Sequence, residues 1–181
     1  MPVSDKTYRM LALEDPEGQW ELHCGELRQK PAMSVDHNRG ATRLLLQLGR
    51  QLDESEFDVR ANMGHVRRAS DSYYIPDVYV IPIELVRAQL GTHKLEVYEA
   101  PLPLVVEVWS PSTGDYDVET KIGEYQRRGD QEIWRLHPYD HTLMTWRRQA
   151  DGTYVVTIYR GGTVEPMALP GVTIDLDALF R

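Results

Sequence analysis

Cysteine is almost absent from this chain of 181 residues: Cys24 stands alone, so no internal disulfide and no cysteine-based zinc site can form. That scarcity agrees with a reducing compartment, and Cys24 itself reads as a small packing residue. Long apolar runs are missing as well, since uninterrupted stretches last only a few residues against the roughly 20 that cross a bilayer. The opening Met1-Pro2-Val3-Ser4-Asp5-Lys6 lacks the apolar segment of a secretory signal. A cytoplasmic protein without membrane attachment is expected. Positive charge is scarce too, with a net charge of −8 and lysine only at positions 6, 30, 94 and 121. Such a balance argues against a protein that coats nucleic acid through a broad basic face. It leaves metal-assisted phosphate chemistry open, because cation-binding carboxylates add negative charge and a bound cation changes the field a phosphate meets. The arginine pairs at 67/68, 127/128 and 147/148 read as solvated surface, although bidentate phosphate contacts are open to them.

What is present is ordinary for a globular protein: 41% hydrophobic and 27% charged residues, with no repeat, low-complexity tract or long linker. One mixed α/β domain over residues 1–181, with a β-rich C-terminal half, is the expectation. Asp5 caps a first helix to about Glu14, ended by Asp15-Pro16-Glu17-Gly18. Residues 20–23 and 26–29 flank Cys24-Gly25 as two short strands of a hairpin. Ala41, Leu44, Leu45, Leu48 and Leu52 form one buried stripe of a helix over about 35–53. Strands are expected near 56–67 and 73–81, then a helix over 83–90 ended by Gly91. A strand containing Glu107 follows, then a helix over about 116–128 ended by Gly129. Strands near 132–137, 141–148, 153–159 and 163–168 precede a closing segment from Leu176 to Phe180.

Two acidic residues do not fit their apolar surroundings. Glu107 interrupts Leu104-Val105-Val106-Glu107-Val108-Trp109, and Asp77 interrupts the β-prone run from Tyr73 to Ile81. A carboxylate buried without a partner costs several kcal/mol, so each needs a cation or hydrogen-bond donors. Alternation puts Val105, Glu107 and Trp109 on one face and Val106 and Val108 on the other. If Asp77 lies on a neighbouring strand, the pair converges on a hard divalent cation of the Mg²⁺ type. Lys121, on a helix with Val118, Ile122 and Tyr125 inward, falls at the flank of the buried stripe, from which its stem can run toward the Glu107 strand. The bland alternatives are a turn-capping Asp77, a Glu107 paired with an arginine, and an Asp117–Lys121 surface ion pair. Glu21 and Glu26 read as exposed hairpin residues, or one of them as a further ligand. His37 reads as a satisfied structural histidine, a helix cap or a substrate contact, and Tyr125 as core packing or a phosphate ligand.

Pro76-Asp77 followed by Glu107-Val108-Trp109 resembles the PD-(D/E)XK nuclease superfamily, in which Asp and Glu bind Mg²⁺ and a lysine two residues later assists. Here Trp109 holds the lysine position. The match continues through Ser110-Pro111-Ser112-Thr113, Asp117, Lys121, Tyr125 and Glu132-Ile133-Trp134, and in this it is similar to a large bacterial family of restriction-endonuclease type whose lysine has migrated to the next helix. Trp20-Glu21-Leu22, Gly25-Glu26-Leu27, His37 and Leu169-Pro170-Gly171-Val172 extend the likeness over most of the chain, while His23-Cys24 and His137-Pro138 depart from the pattern. The resemblance implies a restriction-endonuclease-like core and a homodimer acting on DNA. It also implies Mg²⁺, replaceable by Mn²⁺, at Asp77 and Glu107, with Lys121 stabilising the transition state. Two other classes compete: a non-catalytic binding or assembly protein on the same fold, and a metal-dependent phosphoesterase acting on RNA or nucleotides.

Overall fold

The computed structural model describes residues 2–112 and 114–181, with the side chains of 114–118 outside that description. In chain order the elements are α1 (Asp5–Glu14), β1 (Trp20–His23), β2 (Glu26–Gln29), α2 (Val35–Gly49), β3 (Phe57–Arg60), β4 (His65–Ala69), β5 (Ser72–Tyr74) and β6 (Val78–Pro82). There follow α3 (Ile83–Arg87), β7 (Val97–Tyr98), β8 (Leu104–Val108), α4 (Gly114–Arg128), β9 (Glu132–His137), β10 (Thr142–Arg148) and β11 (Tyr154–Tyr159). The chain closes with β12 (Thr163–Val164), β13 (Ile174–Asp175) and α5 (Leu176–Phe180).

Local chemistry accounts for the first elements. Ser4, not Asp5, caps α1, accepting from the Thr7 amide at 3.2 Å, and Ser34 does the same for α2 through the His37 amide. Cys24 and Gly25 both take positive φ, 49° and 81°, the conformation of a two-residue hairpin turn whose twist suits the flanking strands. Cys24 is therefore exposed at a turn and is no packing residue.

Two mixed sheets form the body. The first runs β2-β1-β5-β4-β7 and the second β11-β10-β9-β8-β6-β3, with β12 and β13 as a separate pair. In the second sheet β8 and β9 are parallel, and α4 is the crossover such a pair requires. Alternation along β8 separates two cores: Leu104, Val106 and Val108 pack with Ala41, Leu44 and Leu48 of α2, whereas Val105 packs with Ile122 and Tyr125 of α4. The first sheet joins the α4 side through Val66 and Tyr74, and α1 lies over Leu22 and Tyr73 in a smaller cluster.

The structure differs from the sequence reading where the backbone leaves the ladder. The strand expected at 56–67 breaks in two because Asn62 and Gly64 turn the chain with φ of 52° and 68°. The one expected at 73–81 breaks at Pro76, which has no amide to give a ladder. Helix α2 ends at Gly49, and a tighter turn, Gln51 N–H to Leu48 O at 3.0 Å, brings Leu52 against the core. Helix α3 stops at Arg87 and β12 spans only two residues. Arg128, expected at the surface, is buried. Among the described residues no helix is long and apolar enough to cross a membrane.

Candidate active site

Asp77 immediately precedes β6, and the antiparallel register of β6 on β8, Val78 opposite Val106, sets Asp77 beside Glu107 when extended by one residue. Both residues are almost fully buried, at 1% and 3% exposure, so each must find its compensation within the protein. The two find it differently.

Asp77 is surrounded by donors. Its Oδ2 accepts from the Val108 amide at 2.7 Å and lies 3.0 Å from His37 Nε2, while its Oδ1 is 2.6 Å from the Lys30 ammonium. Burial alone would raise its pKa, but Lys30 and then His37 outweigh that effect and hold the carboxyl well below the usual carboxylate range. Glu107 has fewer partners. Tyr125 donates its hydroxyl to Oε1, and the Lys121 ammonium stands 3.4 Å from Oε1 and 3.5 Å from Oε2. Burial pushes its pKa up to about 7, the Asp77 charge adds to the rise, and Lys121 offsets it only in part.

Lys121 belongs more closely to Glu21 of β1, whose Oε1 it meets at 2.7 Å and which also accepts from the Ile75 amide at 2.8 Å. Burial would lower the lysine pKa, yet Glu107 and Glu21 keep the ammonium above the ordinary lysine range. The same burial, reinforced by Glu107, drives the Tyr125 hydroxyl far above the usual tyrosine value, so it remains a donor. A cleft of about 50 Å³ opens onto this group, with Glu21, Arg28, Asp77, Glu107 and Lys121 in its walls.

Of the residues singled out by sequence, Asp77, Glu107, Lys121, Glu21, His37 and Tyr125 thus come together. Lys121 is buried in this cluster rather than paired at the surface, and the cation beside Glu107 is a lysine and not an arginine. Glu26 is exposed and does not line the cleft, and the Asp117 side chain falls outside the described residues. Trp109 leaves the site: β8 ends at Val108, and the indole stacks on His137 with centroids 4.3 Å apart and meets Tyr139 edge-on. Sequence reasoning missed Lys30, which lies just past β2. Its one legible signal was scarcity, as one of four lysines.

Among the described residues, no group of three or more His, Cys, Asp or Glu side chains is arranged as a ready-made metal cluster. The oxygen donors nevertheless suit a hard cation. Asp77 Oδ1 has the Lys30 ammonium at 2.6 Å and, among the described residues, Glu107 Oε2 has only its long contact to Lys121, so each of these oxygens keeps a lone pair to give. Mg²⁺ typically takes one or two carboxylates and completes its shell with water and substrate oxygens.

No functionally curated protein matches the chain. The crystal structure of a putative nuclease belonging to DUF820 from Anabaena variabilis ATCC 29413 is similar, with a TM-score of 0.80 at 16% identity, covering 99% of this chain and 98% of that one. At that identity the likeness speaks for the fold, here the mixed α/β body with its two sheets. The match to a family model is nearly as long, and with it the chain is placed, over residues 5–177, in the Uma2 family, whose description is putative restriction endonuclease.

Proposed function

We propose that the protein is an endonuclease of the PD-(D/E)XK type that hydrolyses DNA phosphodiester bonds, with Asp77 and Glu107 holding Mg²⁺ and Mn²⁺ able to replace it. The observation that carries this reading is the convergence of two buried carboxylates and a buried lysine on one cleft. A bound Mg²⁺ supplies Lewis acidity toward the scissile phosphate. Asp77, held ionised by Lys30 and His37, is a permanently anionic ligand. Tyr125 fixes the Glu107 carboxyl, whose high pKa makes cation binding compete with a proton near neutral pH. Lys121 takes from α4 the role that a strand lysine has in the simplest motif: its ammonium, oriented by Glu21, stabilises negative charge developing on the phosphate. Arg28 lines the cleft wall, where a substrate phosphate would meet it. A homodimer would present two such clefts to opposite strands.

The test is calorimetry with Mn²⁺ alongside cleavage of plasmid DNA. Wild type binds Mn²⁺ and nicks DNA, Lys121→Ala binds Mn²⁺ but does not cleave, and Asp77→Ala/Glu107→Ala loses Mn²⁺ binding. Unchanged Mn²⁺ affinity in the double variant sinks the assignment. One observation favours a second reading: both carboxylates already face a lysine, so the site is partly charge-matched by the protein itself. A non-catalytic binding or assembly protein on this fold would bind partners without turnover. A panel of DNA, RNA and nucleotide substrates with Mn²⁺ separates it from the nuclease and from a phosphoesterase acting on RNA or nucleotides.

A further inference from the structure

The Lys30 ammonium is held by three oxygens of different origin: Asp77 Oδ1 at 2.6 Å, Asn62 Oδ1 at 2.7 Å and the Ile75 carbonyl at 2.9 Å. A carboxylate, an amide carbonyl and a backbone carbonyl are the donor types that a hard cation collects. The Lys30 side chain is 2% exposed, so its charge is fully committed to this cage. The backbone around the cage does not depend on Lys30 for its shape. The Asn62 amide donates to the carbonyls of Pro76 and Asp77 at 3.3 and 3.2 Å, and Gln19 Nε2 donates to the Asn62 carbonyl at 3.4 Å, which pins Asn62 against the Asp77 segment. His37 and the Val108 amide fix Asp77 from the other side through Oδ2. The backbone of Lys30 is tied in turn, its amide donating to the Gln19 carbonyl at 3.1 Å.

We infer that Lys30 is a tethered cation filling a second cation position of the cleft, so that the wild-type protein takes a single divalent ion. This rests on the reading that Asp77 and Glu107 hold that ion. Lys30 is a positioning residue here: it keeps Asp77 charged and oriented before any ion arrives, and it closes the oxygen cage to a second one. Take away the ammonium and the cage becomes an oxygen-lined anionic site, because Asn62, Ile75 and Asp77 are held in place by contacts of their own.

Mn²⁺ titration calorimetry on the full chain, with thermal unfolding in EDTA and in Mn²⁺, tests the inference. Wild type binds one Mn²⁺, and Lys30→Ala binds two. The affinity of the ion shared by both proteins tightens about tenfold or more in the variant, since a unit charge at this range shifts an ionic equilibrium by about one to three powers of ten. Both Lys30→Ala and Lys30→Met, which keeps the packing of the stem, melt lower than wild type in EDTA and recover more of that loss in Mn²⁺ than wild type gains. A wild type that binds no Mn²⁺ while Lys30→Ala binds one removes the Asp77–Glu107 reading and retains the cage. Equal stoichiometry, affinity and Mn²⁺-induced stabilisation in wild type and Lys30→Ala overturns the inference. So does a pair of variants that stays unfolded in Mn²⁺, because the ion then cannot take the place of the ammonium.

Discussion

Strands β8 and β9 run side by side between two sets of buried carboxylates, and the two ends of the pair treat them differently. At the N-terminal end lie Asp130 and Glu132, both without solvent exposure. Asp130 accepts from the Leu102 amide at 2.7 Å and from the Arg128 guanidinium at 3.0 and 3.2 Å. Arg128 gives its remaining hydrogens to the carbonyls of Arg67, Tyr98 and Ala100. Glu132 is served by Trp134 Nε1, Arg147 Nε and the amides of Met167 and Ala168. At the C-terminal end Glu107 has one hydroxyl donor and an ammonium at long range. Satisfied acceptors of the first kind fasten the two sheets and α4 together, because a charge with all its hydrogen bonds made cannot move cheaply. An under-served carboxylate beside a cleft keeps capacity for something from outside.

The largest effect is expected at Arg128. Arg128→Ala leaves Asp130 buried with one amide and strands three carbonyls, so stability falls by about 3–5 kcal/mol, read from the urea midpoint. A loss under about 1 kcal/mol would mean that the guanidinium does not fasten this end. The next effect concerns Glu107 and depends on pH. Its folded pKa of about 7 lies above the ordinary value of 4.5, so between those values the native chain holds a proton that the unfolded chain releases. Stability therefore falls as pH rises through that window, and the full cost of the buried charge is felt above it. In EDTA, Glu107→Gln is more stable than wild type at pH 8 by on the order of 1–3 kcal/mol, and the gap closes toward pH 5. A gap that widens on acidification contradicts the assignment. The smallest effect is at Arg147, where Arg147→Ala leaves Glu132 with the indole and two amides and costs about 1 kcal/mol by chemical denaturation. A much larger cost would show that the guanidinium, and not the donor set as a whole, is what satisfies Glu132.

Much of this architecture is legible in the chain. The bounds of β1, β2 and β9 follow from turn residues and periodicity, which are local, whereas the α1 cap lies one residue before the Asp5 expected. Asp77 and Glu107 announce themselves because desolvating a charge is costly wherever the chain goes, and Lys121 sits one helical flank away. The Asn62–Gly64 turn, where the chain passes from one sheet to the other, was not read although Asn and Gly are turn residues, since neither alone fixes where a strand ends. Lys30 was invisible for another reason: its three oxygens come from the Asn62 turn and from Ile75 and Asp77 between β5 and β6, and no spacing in sequence joins them to it.

Local signals in the chain place most of the helices and several strands, and they mark two carboxylates that cannot rest in an apolar strand unaided. Tertiary packing sets the pKa shifts of these neighbours in opposite directions, Asp77 far down and Glu107 up to about 7. Burial is common to both, but charge interactions act through space, and it is the convergence of Lys30 and His37 on one carboxylate, with Lys121 divided between Glu21 and the other, that separates them.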